Sequence, residues 1–410
     1  MSDCGANNER GSRFMEQALP DRLACGMLLA TLFFLPLLTA PVTLCAVVTI
    51  AIWIISGRCR HDLPLWFRQQ WTIPLLLIIL IQVVSLCWSS DLASGYKLVE
   101  RNYVWLLGFA ALSITTRVAG SAELAARAFL FGLSGNVLIA LMQMAGIISW
   151  RNREGSYGLM GYITFSLLLV VGMLLLSRYY QRTPHTGTRI VVATTLGAFF
   201  LTLLLLPGRG GYLSFMAALP IMLCCLVGRK RVLMMALLAA LPTAALLLSP
   251  TVRDRIAVIP HQMAAYDPHR DQNLNTPVSE RLHMWYGAAE LIKEHPLIGI
   301  GTGSYKKEME RFKNRIQGNT GGFSHPHNSY LYVAVSYGLV GILLYGRLLY
   351  LLLSSSFRHR HTVGGFMAFS VLSIILVGSL TDTQILSNAT GILLGIAPGL
   401  IPVPGATDEG

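Results

Sequence analysis

Long apolar runs recur from one end of this chain to the other and leave it few ways to fold. They can be read at Leu23 to Leu38, Pro41 to Ser56, Trp71 to Trp88, Tyr103 to Ile114, Ala125 to Ala145 and Tyr162 to Ser177. Further runs follow at Ile190 to Leu206, Tyr212 to Val227, Val232 to Leu248, Ser329 to Leu353, Thr362 to Leu380 and, diluted by Asn388, Thr390 and two late prolines, Ile385 to Val403. A bilayer core about 30 Å thick takes roughly 20 residues of helix. Open strands cannot cross it, because their edges stay unpaired. The expected fold class is an all-α polytopic membrane protein of about 12 transmembrane helices.

Hydrophobic residues make up 53% of the 410 and charged ones only 13%, so lipid is the solvent for most of the chain. The first apolar stretch follows some twenty polar residues and leads at once into others, which reads as a retained anchor and not as a cleaved signal peptide. The formal charge of +12 could suggest nucleic acid. Its place in short loops between apolar runs excludes that partner and makes it a topology signal. All seven cysteines lie in the first 225 residues, within spans or on the side of the basic loops, so neither a disulfide nor a thiolate metal site is expected.

Alternate loops carry the lysines and arginines: Arg58, Arg60 and Arg68; Arg117; Arg178, Arg182 and Arg189; Arg229, Lys230 and Arg231; Arg358 and Arg360. By the positive-inside rule these loops and both termini are cytoplasmic. The organisation is then residues 1–248 with nine helices, a large external loop at 249–328, and residues 329–410 with three more helices. Within the loop, Ser279 to His295 is read as an amphipathic helix capped by Ser279, with Leu282, Trp285, Ala289 and Ile292 on one face. The glycines of Gly299-Ile300-Gly301-Thr302-Gly303 allow a tight turn or a close backbone approach. Trp53, Trp71, Trp88 and the Tyr179-Tyr180 pair read as interface belt residues.

The chemistry is expected where the loop meets the next span, in His325-Pro326-His327-Asn328-Ser329-Tyr330, continuing to Gly338-Leu339-Val340-Gly341. His327 and Asn328 would sit at the mouth of a helix, where Asn328 and Ser329 can cap exposed backbone amides, with Gly338 and Gly341 two to three turns deeper to admit a neighbouring helix. A histidine there is either functional or simply interfacial. Arg209, in Pro207-Gly208-Arg209-Gly210-Gly211, lies in an exterior turn whose glycines leave its amides free for an anion, or else it snorkels to headgroups. Asp382 ends a span on the same side, where it either caps the helix or reaches His327. Arg101 and Lys97 precede another span there, and Arg101 is kept as a contact for lipid phosphate. His325-x-His327 and Asp267-Pro-His269-Arg-Asp271 lack zinc-type spacing, and no Asp-x-Asp pair offers to hold a metal-bound pyrophosphate. No metal or cofactor is expected.

The string His327-Asn328, nine residues, then Gly338-x-x-Gly341 resembles the signature of the bacterial O-antigen ligases and their relatives, the O-antigen polymerases and protein O-oligosaccharyltransferases. Ser279-x-Arg281-x-x-x-Trp285 and the run from His295 to Tyr305 are similar to further motifs of that family. The resemblance implies a GT-C-like glycosyltransferase architecture in the inner membrane with a periplasmic active site. It implies a donor glycan on undecaprenyl pyrophosphate and, for a ligase, the lipid A-core oligosaccharide as acceptor. His327 would be the general base with Asp382 orienting it. Arg209 and Arg281 would hold the pyrophosphate, with Arg101 and Asn328 also facing substrate. Chain length and the lack of a soluble C-terminal extension favour the ligase over its relatives. The contrasting class is a lipid or solute transporter, but no internal repeat is seen and the singled-out charges lie at the exterior rim.

Overall fold

The computed structural model describes residues 18–149, 156–226, 240, 244, 253–254, 257–264, 266–267, 276–316 and 323–403. Most of the described backbone is helical, and the only strands among the described residues are the two-residue pair Ser156–Tyr157 and Met160–Gly161. The apolar runs become α1 (Leu19–Phe34), α2 (Thr39–Ile55) and α3 (Thr72–Val84, with a tight turn to Trp88). After the short helix α4 (Leu92–Glu100), which the sequence reading did not foresee, come α5 (Tyr103–Arg117), α6 (Ser121–Met144), α7 (Tyr162–Arg182), α8 (Thr186–Leu205) and α9 (Arg209–Leu226). The large loop contributes α10 (Pro277–Glu294) and α11 (Tyr305–Ile316), and the chain ends with α12 (Ser329–Arg358), α13 (Val363–Gly378) and α14 (Asn388–Ile396). The expected span at Val232 to Leu248 lies outside the described residues.

Four helices, α6, α7, α8 and α12, are each long and apolar enough to cross a membrane, and several shorter apolar helices accompany them. Phe131, Leu138, Ile190, Val191 and Leu343 point outward and are more than half exposed, which suits lipid and not water. The buried core is continuous through the bundle, with α7 at its centre: fourteen of its residues, from Phe165 to Arg178, are buried.

The described loops predicted to be basic gather at one end of the bundle. At one end, Arg58 binds Asp21 through two hydrogen bonds of 3.0 and 2.6 Å, Arg117 pairs with Asp62, and Arg178 and Arg182 cap the carbonyls of the turn at Arg360 and His361. Trp53, Trp66, Trp71 and Phe109 stack there with centroids 4.6 to 5.3 Å apart. Trp53 and Trp71 are therefore core residues, 3% and 2% exposed, and not members of an interface belt. At the other end the starts of α5, α7, α9, α12 and α14 meet the ends of α3 and α13, away from the loops of Arg58, Arg117, Arg178 and Arg360.

The large loop packs over that second end. Thr276, not Ser279, caps α10: its hydroxyl accepts from the Ser279 amide at 3.2 Å, and Pro277 opens the helix without needing a donor. The buried stripe is also rotated from the expected one, onto Met284, Ala288 and Leu291, with Ala289 exposed. The reason is α11, whose Tyr305, Met309 and Phe312 close a second small core with Ala288, Leu291, Ile300, Tyr332 and Val335.

Candidate active site

The site is set by a break in α12. Gly338 has φ 62 and ψ −154, so the helix is interrupted after nine residues and resumes at Leu339. A break frees backbone groups, which cannot stay unpaired at membrane depth. The loop at 296–301 supplies the partners. The Ile300 and Gly301 amides donate to the Val335 and Ser336 carbonyls at 2.9 and 3.0 Å, while the Leu339 and Val340 amides donate to Pro296 and Leu297 at 2.9 and 3.2 Å. Gly338 therefore admits a loop, not the neighbouring helix expected from the sequence. A Cβ on Gly338 would fall 2.3 Å from the Leu297 carbonyl carbon, and one on Gly299 would fall 2.4 Å from that of Ser336. The same loop is tied to α3 by Thr302, buried against the Ser85 hydroxyl at 2.7 Å and the Gln82 carbonyl at 2.8 Å.

Above this socket the first turn of α12 is pinned to the end of α13. Asn328 caps α12, its Oδ1 accepting from the Tyr330 and Leu331 amides at 2.9 and 3.0 Å, and its Nδ2 donates to the Leu380 carbonyl. This is the capping role open to Asn328 at the mouth of the helix, and it ties the start of α12 to the end of α13. Ser329 bonds Ser379 through both backbone and hydroxyl. Between these anchors His327 takes φ 48, a left-handed conformation that costs a non-glycine residue about 1–3 kcal/mol. It is held there by the Asn328 amide on Thr383 Oγ1 at 3.1 Å and by Trp285, whose indole donates to the Pro326 carbonyl at 2.9 Å.

This backbone delivers His327 Nδ1 to Asp382 Oδ1 at 2.6 Å. With Nδ1–H donating to the carboxylate, Nε2 carries the free lone pair, as a general base requires. Burial of Asp382 favours its protonated form, but the hydrogen bond and charge of His327 and the Thr383 amide outweigh it and hold the carboxyl below its ordinary range. His325 stacks edge-on against His327 with ring centroids 4.4 Å apart. Burial, reinforced by His327 and partly offset by Asp382, pushes the His325 imidazole below its ordinary 6.5. The sequence reading weighed His325 only as half of a metal pair. In the fold Asp382 adds a third donor, all three lying within 4.8 Å of one another, an arrangement that could hold a metal ion.

Arg281 stands one helical turn before Trp285 on α10, the residue whose indole holds the Pro326 carbonyl. Arg209 opens α9, and its side chain lies outside the described atoms. Its neighbour Gly210 places that helix start against Thr381, where an added Cβ would meet Thr381 Oγ1 at 2.7 Å. The expected five-residue turn is thus shorter, and Gly211 serves close packing on Ser166 of α7 and not an open anion nest. The backbone brings Arg209, Arg281, His327 and Asp382 to the same end of the bundle.

Two cavities that share lining residues lie beside them. One, of about 390 Å³, has Lys97, Arg101, Lys306, His325, Asp382 and Thr383 in its wall beside Leu98, Tyr305, Tyr332 and Leu386. A narrower apolar one of about 100 Å³ runs inward between α3, α5, α12 and α14. Arg101, on which both open, is half-buried, and that burial draws its pKa below the usual arginine value. Lys306 escaped the sequence reading because it is one of many lysines in a polar helix, and only the packing of α11 marks it out.

A family model described as O-antigen ligase matches residues 194–346, a stretch that contains Arg209, Arg281, His327 and both glycines of the string. No curated protein matches the chain.

Proposed function

On the premise that its match over residues 194–346 makes this chain a member of the O-antigen ligase family, we propose that it is the ligase itself. It moves a glycan from undecaprenyl pyrophosphate to a sugar hydroxyl of lipid A-core in the outer leaflet of the inner membrane. The proposed protein has about 12 spans, the divisions at 248 and 328, cytoplasmic termini and a periplasmic site. The observation that carries this reading is the His327–Asp382 hydrogen bond of 2.6 Å at the end of the bundle opposite the basic loops.

In the reaction the acceptor hydroxyl attacks the anomeric carbon as the bond from that carbon to the phosphate oxygen breaks. The new glycosidic bond forms on the opposite face, giving inversion without a covalent enzyme intermediate. His327 Nε2 takes the hydroxyl proton, and Asp382 fixes the tautomer and stabilises the imidazolium that results. The electron pair of the broken bond leaves on undecaprenyl pyrophosphate. Arg281 and Arg209 meet that growing charge, their planar forks matching phosphate oxygens and keeping their protons. Because both substrates hang from lipids, a rigid rim that brings the two heads together supplies much of the rate.

The test is transfer by purified protein supplied with lipid-linked glycan and lipid A-core. His327→Ala should abolish transfer while donor still binds, and chelation with EDTA should leave the wild-type rate unchanged. Full transfer by His327→Ala would remove the base, and loss of transfer on chelation would make the reaction metal-dependent. A product linked to a second lipid-borne glycan, or to protein, would assign the chain to the polymerase or oligosaccharyltransferase branch. Movement of lipid or solute across vesicles without transfer would make it a transporter.

A further inference from the structure

The transfer reaction proposed above gives His325 no task, although its ring packs edge-on against that of His327 with centroids 4.4 Å apart. Its Nδ1 is buried and, among the described residues, has no hydrogen-bond partner. A buried ring nitrogen that no protein group meets is costly unless a ligand meets it. The histidine pair has no zinc-type spacing in the sequence, but the end of α13 supplies a third donor: one ligand atom each from His325, His327 and Asp382 lie within 4.8 Å of one another. Tetrahedral zinc holds nitrogen and oxygen at about 2.0–2.2 Å, which sets ligand atoms about 3.4 Å apart, so closure asks these side chains to draw in by about an ångström. His325 and Asp382 line the cavity of about 390 Å³, which leaves room beside them for an ion and its water.

The donor set selects the ion. Two imidazoles and one carboxylate suit Zn²⁺ and its neighbours, whereas Mg²⁺ and Ca²⁺ require shells of oxygen. Lys97, Arg101 and Lys306 in the same wall oppose any cation held by charge alone, so bonds to imidazole have to carry the binding. We propose that His325, His327 and Asp382 form an inhibitory site for a divalent late-transition-metal ion, Zn²⁺ foremost, with water at the fourth position. The inhibition rests on the reading of His327 as the base. An ion on its Nε2 occupies the lone pair that takes the acceptor proton. An ion on its Nδ1 displaces the Asp382 hydrogen bond and leaves the ring's proton on Nε2, so that lone pair is lost as well. Metal at this site therefore stops transfer, and removal of the metal restores it.

The experiment uses the full chain in nanodiscs, purified without a polyhistidine tag and stripped with EDTA, with ZnCl₂ and MgCl₂ as probes. Binding is read by calorimetry and, with CoCl₂ in place of zinc, by the visible absorption of four-coordinate Co²⁺. Transfer is read with lipid-linked glycan and lipid A-core. Wild type should bind Zn²⁺ at micromolar concentration, ignore Mg²⁺ at millimolar concentration and lose most of its transfer rate as zinc fills the site, with recovery on EDTA. His325→Gln should weaken zinc by about 10–100-fold and move the inhibition curve by the same factor, measured against its own rate without metal. His327→Ala should weaken zinc by a similar factor. Zinc binding of wild-type strength in both variants, or Mg²⁺ bound as tightly as zinc, would overturn the site and leave the transfer reaction untouched. Zinc that binds through these residues without slowing transfer would overturn the inhibition and, with it, His327 as the base, leaving only the metal site.

Discussion

Replacing Gly338 by Ala probes the joint on which the site is built. The backbone there, φ 62 and ψ −154, is essentially reserved for glycine, so any side chain costs about 1–3 kcal/mol in strain alone. Sterics add to this. The new Cβ would stand 2.3, 2.4 and 2.6 Å from the Leu297 carbonyl carbon, its oxygen and the Ile298 amide nitrogen, all backbone atoms that cannot rotate away. The loop must therefore back off, which endangers the four hydrogen bonds that close the break, at about 1 kcal/mol each and more if a buried amide is left unpaired.

If half of those bonds survive, the local penalty is about 3 kcal/mol, which is more than a hundredfold in the population of the native arrangement. Thermal unfolding in detergent, followed by tryptophan fluorescence, should shift down by about 3–4 °C if the whole chain melts as one unit. Transfer should fall at least as steeply, because the loss displaces the post that carries His327. Gly346→Ala is the control. Nothing lies within 4 Å of its Cβ position, and alanine in a helix is about 0.5–1 kcal/mol better than glycine. A Gly338→Ala protein that melts and turns over within error of wild type would refute the seating of the loop in the helix break.

Asp382→Asn should lower kcat by about 10²–10⁴ with donor KM little changed, since the amide no longer enforces the Nδ1–H tautomer of His327; a kcat within about threefold of wild type would leave Asp382 a helix-end residue only. Arg281→Lys keeps the charge but loses the fork, and kcat should drop about 10–100-fold; full activity would show that charge alone suffices. Acidification should loosen the rim in two stages. His325 and Asp382 both have folded pKa values depressed below their ordinary 6.5 and 3.8, so their contribution is complete above those values and is lost as pH falls through each folded value. Hydrogen exchange at the Asn328 amide, which donates to Thr383 Oγ1, should therefore lose protection first below about pH 6.5, and His325→Gln should flatten that first stage. Protection that is level from neutrality to well below the ordinary histidine pKa would contradict the depression at His325.

The helices were legible because apolar run length answers directly to bilayer thickness, and the sorting of Arg58, Arg117, Arg178 and Arg360 onto one end follows from the same loops that predicted it. His327, Arg281 and Asp382 were legible as residue types near a membrane edge. What pairs them was not, since 55 positions separate His327 from Asp382 and no local pattern encodes their 2.6 Å contact. The cap of α10 was misread because Ser279 and Thr276 both look like caps, and only Pro277 between them decides it. Its buried face was misread because α11, whose mostly charged sequence hides Tyr305, Met309 and Phe312, supplies the opposing surface. Trp53 and Trp71 were assigned to the interface by a residue-type rule that cannot see Trp66 and Phe109 stacked on them.

The spacing of the His-Asn-x9-Gly-x-x-Gly string acquires a mechanical meaning from the break. Nine residues, Ser329–Tyr337, make two and a half turns and about 13.5 Å of helix between the cap at Asn328 and the socket at Gly338. A change of one residue would rotate His327 by about 100° relative to the seated loop, swinging it away from Asp382. The second glycine follows from the first: where the helix resumes after the break, a Cβ at Gly341 would fall 2.2 Å from that of Tyr337. The cap, the nine-residue spacer and the two glycines of the string thus together fix the height and azimuth of one imidazole. If His327 is the base, as proposed, a base mounted this way serves any hydroxyl presented to it, so ligases, polymerases and protein-modifying relatives could share the string, and the choice of acceptor would reside in surfaces outside it.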